Sequence, residues 1–288
     1  MRSAVLVVAL LAACGQPRDV VVVGAKNFTE QRVLGELVAQ TVESLGLRAR
    51  RMLDLGGTFV CDAALRAGQI DVYVEYTGTA LAAILKEPPS GRDARAVYAR
   101  VQAAYAKDGL VWTAPLGFEN TFAMVMRGDE AQRLGVRSIS DAARHANAWG
   151  AAFGYEFRER ADGYPGLERT YGLHFADVRI MDLGLIYRAL VDHQVDVVAG
   201  NSTDGQIDSL RLAVLDDDRH YFPPYEAAPI VRRATLDRYP PLERALTALG
   251  GTISVEAMRR ANAEVNRGRQ SLAGAARALR QGGTPPGP

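Results

Sequence analysis

Cysteine is nearly absent. The 288-residue chain has Cys14 and Cys61 only. Cys14 directly follows the N-terminal apolar run, ahead of the folded part, so Cys61 is left without a partner for an internal disulfide. Histidine is scarce as well: the four, at positions 145, 174, 193 and 220, share no metal-ligand spacing. The sequence has no phosphate-cradling glycine loop and no G-x-S-x-G turn. An enzyme reading therefore lacks a nucleophile, a cofactor motif and a metal set, and the expectation is a protein with no catalytic residue, cofactor or metal. Charge of one sign is missing too. The 34 Lys+Arg nearly cancel the 33 Asp+Glu, which gives no reason to expect nucleic acid or an acidic membrane patch as a partner. "DDDR" (216–219) fits no calcium loop and reads as a solvated charge run. No apolar run is long enough to cross a membrane. The N-terminal one, Ala4 to Ala13, is about half the required length.

That short run follows Arg2 and precedes "LAAC", which makes it a secretion signal. "LAAC" resembles a bacterial lipobox. The resemblance implies cleavage before Cys14, a lipid on its sulfur, and an exported protein, periplasmic or at the cell surface, anchored to a bacterial membrane. Residues 1–13 are then the signal peptide. Cys61, in the helical pattern "TFVCDAAL", reads as a small buried apolar residue.

The mature chain is longer than one core usually organises, so two lobes are expected. "DVVVVG" (19–24) is a β-branched run and reads as a buried strand. Asn27 and Glu30 have capping-box spacing ahead of a helix from Phe28 to Leu45 that Gly46 ends. "RARRML" is the next strand, Phe59 to Ala67 the next helix, and "QIDVYV" a third strand. It leads into "EYTGT" (75–79), read as an exposed strand-end loop. This β-α-β-α-β order implies parallel crossovers.

The pattern returns near Trp149. "WGAAFGY" reads as a strand, "EFRERADGYPG" as a loop, and Pro165 suits the start of the following helix. "ALVDHQVDVVAGNSTDG" (189–205) can be laid on "ALRAGQIDVYVEYTGT" (64–79). Asp196 then falls on Asp71 and Asn201 on Tyr76, an offset of about 125 residues. Two similar units imply two α/β lobes whose strand ends face one another, and the cleft between them is the expected binding site. "LGFENTFAMVM" (116–126) and "LAVLDDDRHYFPPYEAAPIVR" (212–232) are the expected crossings. The first lobe is set at 19–117 plus 218–275 and the second at 118–217. Residues 276–288 are expected to be a disordered tail.

Six blocks in order, "KNFTEQ", "GGT…GQIDVYVEYTGT", "LGFENTFAM", "F..RADG", "STDGQI" and "FPPYEAAPIV", resemble the substrate-binding lipoproteins of osmoprotectant ABC importers. These proteins bind glycine betaine, choline and carnitine. The resemblance covers about residues 20 to 270. It implies the type II periplasmic binding protein fold, two α/β lobes joined by a hinge. It also implies two partners: a membrane permease with its ATPase, and a small quaternary ammonium ligand. Such a head group has no N–H to donate, so aromatic faces read it, at about 0.5–2 kcal/mol per ring. Carried onto this sequence, Tyr76, Phe122 and Tyr225 are cage walls. Thr79 offers a hydroxyl, and Lys26 and Arg160 face a ligand carboxylate or other polar end. Family members often carry Tyr where Phe122 stands. Tight betaine binders often carry an aromatic residue where Asn201 stands, so three walls are implied rather than four. A ligand whose polar part needs an amide, such as ergothioneine, is then an alternative.

The residues taken alone leave other readings open. Tyr76, Tyr225 and Phe122 also suit core packing, and Lys26 a solvated position. Arg160 also suits a pair with Glu159 or Asp162, and Asn201 a turn. Asp204 reads as a helix cap. An amino-acid binder, an enzyme on a two-lobed scaffold and a signalling receptor are the rival functions.

Overall fold

The computed structural model describes residues 20–87 and 93–282. The leader, and with it the proposed lipidation of Cys14, lies outside the described residues, as do the last six residues. Two five-stranded sheets organise the chain, and each is laid out in the same way. The first runs β2 (Arg48–Met52), β1 (Val20–Gly24), β3 (Val72–Tyr76), β10 (Ala227–Arg232), β4 (Leu110–Trp112). The second runs β7 (Asp177–Ile180), β6 (Gly150–Phe153), β8 (Val197–Asn201), β5 (Phe122–Arg127), β9 (Leu212–Val214). In each, three parallel strands are followed by an antiparallel one contributed from across the chain: β10 against β3, and β5 against β8. The protein is thus two α/β lobes, each completed by a strand that arrives through a crossing segment.

Alternation along β3 explains its sequence. Val72, Val74 and Tyr76 join the large core cluster, and Tyr73, between them, joins a separate cluster with Cys61, Trp112 and Ile230. Both faces of the sheet are covered, which is why these strands read as near-continuous apolar runs. In the second lobe Val197 and Ala199 face the large cluster and Val198 the opposite one. Cys61 is fully buried in its cluster, and burial pushes its thiol up to about 12.

The internal repeat extends to individual hydrogen bonds. Asp71 Oδ2 accepts from Val22 N at 2.8 Å, and Asp71 N donates to Val22 O at 2.7 Å. Asp196 Oδ2 accepts from Gly150 N at 2.9 Å, and Asp196 N donates to Gly150 O at 2.8 Å. The arginines that end β10 and β5 complete the match: Arg232 lies 3.6 Å from Asp71, and Arg127 lies 3.1 Å from Asp196. Each Asp therefore ties the start of its lobe's third strand to the first.

Several sequence expectations are corrected. The first helix is Thr29–Glu43 and begins at Phe28 without a side-chain cap, so Asn27 and Glu30 form no capping box. Glu30 is 2% exposed and turned into the core, where donors other than the helix end engage it. "EYTGT" is not an exposed loop. Its first two residues finish β3, helical turns run from Thr77 to Ile84, and all five residues are buried. Part of the expected loop 156–166 is the short helix Tyr155–Glu159; Pro165 does sit in the first turn of the helix Tyr164–Tyr171. Asp204 caps no helix. Its Oδ2 accepts from Asn201 N at 3.0 Å and from Tyr187 OH at 2.7 Å. Within "DDDR", Asp217 is not simply solvated: it accepts from Tyr221 N and Phe222 N, each at 2.9 Å, folding the approach to Tyr225. Residues 276–280 belong to the helix Leu272–Arg280, whose Ala275, Ala276 and Leu279 are buried in the large core cluster, so the expected disordered tail does not begin there.

Because Asp71 carries both the Val22 backbone bond and one from Thr235 Oγ1 at 2.8 Å, Asp71→Ala leaves two donors unpaired. It is expected to cost roughly 1–3 kcal/mol in urea unfolding. A loss below about 0.5 kcal/mol would show that water replaces the carboxylate without penalty.

Candidate functional site

The two sheets meet at a cleft of about 270 Å³ formed by strand ends and the turns beyond them. That volume lies just below the usual range of ligand pockets, about 300 to 1,000 Å³. All seven residues singled out from the sequence line it: Lys26, Tyr76, Thr79, Phe122, Arg160, Asn201 and Tyr225. Strand register explains the convergence. Tyr76 ends β3 opposite Ala227, two residues after Tyr225, and Phe122 opens β5 opposite Asn201. The first sheet and its flanks supply Lys26, Tyr76, Thr79 and Tyr225; the second supplies Phe122, Arg160 and Asn201.

Two of the three rings, Phe122 and Tyr225, pack edge to face, and Tyr76 lines the same cleft. Phe122 is 6.0 Å from Tyr225, centroid to centroid, and 4.9 Å from Phe157, a ring the sequence reading missed. Gly78 allows this arrangement, since a Cβ there would meet Pro224 O at 2.6 Å and the Tyr225 ring at 2.8 Å. Both tyrosine hydroxyls are occupied. Tyr76 OH donates to Glu30 Oε1 at 2.7 Å, and Tyr225 OH donates to Asp162 Oδ2 at 2.6 Å. Burial, with those neighbouring carboxylates, holds both phenols well above their ordinary range, so they stay protonated donors.

The two basic residues are engaged within the protein. Lys26 Nζ donates to Glu75 Oε1 at 2.5 Å and to Thr58 Oγ1 at 2.9 Å, and it lies 5.2 Å from the Tyr76 centroid. Arg160 makes paired bonds to Asp162, Nε to Oδ1 at 2.9 Å and Nη2 to Oδ2 at 2.5 Å. The fork that the family resemblance directs at a ligand carboxylate is thus taken by Asp162. Arg160 Nη2 also donates to Thr79 Oγ1 across the cleft at 3.1 Å, and its guanidinium lies 5.0 Å from the Phe122 centroid. A second cross-cleft contact comes from Glu156. It accepts from Thr58 Oγ1 at 2.9 Å and from the Thr58 backbone N–H, which opens the helix Thr58–Arg66. The Lys26 and Arg160 charges and those Thr58 bonds outweigh its desolvation, and Glu156 titrates below its ordinary range.

Carboxyl groups outnumber basic groups here. Glu30, Glu75, Glu156, Asp162 and Asp182 line or directly back the cleft, against Lys26 and Arg160. The sequence reading placed none of the five at the site: Asp162 was offered as a partner for Arg160, a pairing the structure shows, and Glu30 only as part of a helix cap. Glu75 had the clearest signal, an acid inside the apolar strand "VYVEY". Asp162 and Glu30 lay inside quoted motifs, whereas nothing local marks Glu156.

The family model for the substrate-binding domain of ABC-type glycine betaine transport systems matches residues 19–281. The chain belongs to this family. A glycine-betaine-binding protein of Pseudomonas aeruginosa is 38% identical over 252 residues, covering 83% of this chain and 80% of that protein. An ergothioneine transport permease/ergothioneine binding protein of Helicobacter pylori is 32% identical over 246 residues, 85% of this chain but 44% of that longer protein. A crystal structure described as a glycine betaine/carnitine/choline ABC transporter superposes with a TM-score of 0.74 at 29% identity, covering 91% of this chain and 97% of that one. Family members are extracytoplasmic transport receptors rather than enzymes, and among the described residues no helix is long and apolar enough to cross a membrane.

Glu30 makes stability depend on pH. Burial raises its carboxyl above the ordinary 4.5, opposed by hydrogen bonds from Tyr76, Asn262 and Asn120. An acid with a higher pKa folded than unfolded contributes most stability below 4.5, and that contribution is lost as pH rises through the folded value. Glu30→Gln removes the titration. In urea unfolding, wild-type stability relative to Glu30→Gln should therefore fall as pH rises above 4.5. A difference that grows with pH would show the opposite sign for the shift.

Proposed function

We propose that this chain captures a small quaternary ammonium compound, of the glycine betaine, choline or carnitine kind, between its two lobes and delivers it to a membrane permease driven by an ATPase. The observation that carries the reading is the meeting of Tyr76, Phe122 and Tyr225, from both lobes, on one small cleft with an excess of carboxyl groups. Rings attract a permanent cation without needing an N–H from it. Thr79 and the remaining N–H groups of Lys26 and Arg160 suit the ligand's polar end. Binding holds the lobes together because the contacts are shared between them. No chemistry on the ligand is proposed, and no cofactor or metal. A second reading, a betaine with a larger polar part such as ergothioneine, is favoured by Asn201 lining the cleft and by the 32% identity to an ergothioneine binding protein.

We also assign Cys14 as the lipid attachment site that keeps the receptor at the membrane surface. In cells, Cys14→Ser is expected to move the protein from the membrane fraction to the soluble fraction. Retention of the variant at the membrane would remove the anchor from the proposal.

The ligand is tested by calorimetry with a panel of trimethylammonium compounds. At least one should bind wild type, and Tyr76→Ala should weaken it at least about tenfold. Binding confined to compounds without a quaternary nitrogen would sink the cage reading.

A further inference from the structure

Both cage tyrosines are backed by buried carboxylates. Tyr76 donates to Glu30 and Tyr225 to Asp162, with Glu30 and Asp162 each 2% exposed. The two carboxylates differ in one respect. Asp162 is paired with Arg160, which offsets its charge. Among the described residues Glu30 has no cation as a hydrogen-bond partner: Oε1 also accepts from Asn120 Nδ2 at 2.8 Å, and Oε2 from Asn262 Nδ2 at 3.0 Å. Both amides present nitrogen to Glu30 and leave their own oxygens unpaired. Donors thus reach both Glu30 oxygens, which opposes the effect of burial on this carboxyl and suits its ionised form.

Resting on the quaternary ammonium reading, we propose that Glu30 is a positioning residue that gives the cage its preference for a permanent cation by acting through Tyr76. A phenol that donates to a carboxylate shifts electron density onto its ring, and the low-dielectric surroundings let the carboxylate's field reach a cation on the far side. A carboxylate touching the ligand would favour ammonium groups with N–H to donate. One placed behind a ring supplies negative potential without offering such an acceptor. Phe122 has no hydroxyl and cannot be backed in this way. Lys26 and Arg160, already lying 5.2 Å and 5.0 Å from the Tyr76 and Phe122 centroids, show that these rings accept cations.

The test compares choline with its neutral carbon isostere, in which tert-butyl replaces trimethylammonium, by NMR titration of wild type, Glu30→Gln and Tyr76→Phe. Wild type should prefer choline. Glu30→Gln should lower choline affinity about tenfold while changing that of the isostere less than about twofold. Asn120 and Asn262 can turn over to meet the new amide, and unchanged cooperative unfolding would confirm that the variant folds. Tyr76→Phe, which keeps the ring but breaks the link to Glu30, should lose the same discrimination. Equal weakening of both compounds would assign Glu30 a purely structural role and overturn the inference, as would unchanged choline binding in both variants. If wild type favours the neutral isostere, the cation reading itself falls and the inference with it.

Discussion

An ionised group removed from water must be met by partners, and this constraint organises the cleft. Glu75 is fully buried in a strand that is otherwise apolar. Without Lys26 at 2.5 Å its charge would cost several kcal/mol. Lys26 is in turn fixed by Thr58, and Thr58 is held by Glu156 from the other lobe. Asp162, Arg160 and Thr79 form a second chain of the same kind across the gap. Polar pairing and the apposition of the lobes are therefore one arrangement: the groups that stabilise buried charge in one lobe are supplied partly by the other.

The rings depend on this frame. Tyr76 and Tyr225 pack in the large apolar cluster, and each is pinned at its hydroxyl by a carboxylate. Both line the cleft. Lys26 and Arg160 lie beside Tyr76 and Phe122, and the guanidinium of Arg160 is held by Asp162, which also holds Tyr225. The same few residues thus set the shape of the cleft and its electrostatic sign.

Much of the architecture was legible because it repeats. Polar identities such as Asp71 and Asp196 recur at matching places, and the structure gives them the same strand-tying bonds. The seven site residues were readable because strand ends carry them and family blocks enclose them. What escaped notice depends on long-range contact. Asn27 and Glu30 had the local spacing of a cap, yet Glu30 engages Tyr76, Asn120 and Asn262, which lie far along the chain. Glu156 gains meaning only when the helix Tyr155–Glu159 meets Thr58, and that helix sits in a stretch whose Gly and Pro suggested a loop. The final helix was missed because small residues such as Ala275 and Ala276 give a weak apolar signal and become buried only against the core.

The strand that completes the first sheet arrives late. β3 lies between β1 and β10, and β10 follows β3 by about 150 residues, after the whole second sheet has been threaded. A chain emerging N-terminus first from a secretion channel therefore holds an unfinished first lobe, with one edge of β3 open, until nearly all of it has crossed. The second lobe has every strand by residue 214 and can close before then. Assembly order is thus the reverse of synthesis order, and such long-range pairing is slow. The open edge of β3 stays exposed to wrong partners until β10 pairs with it.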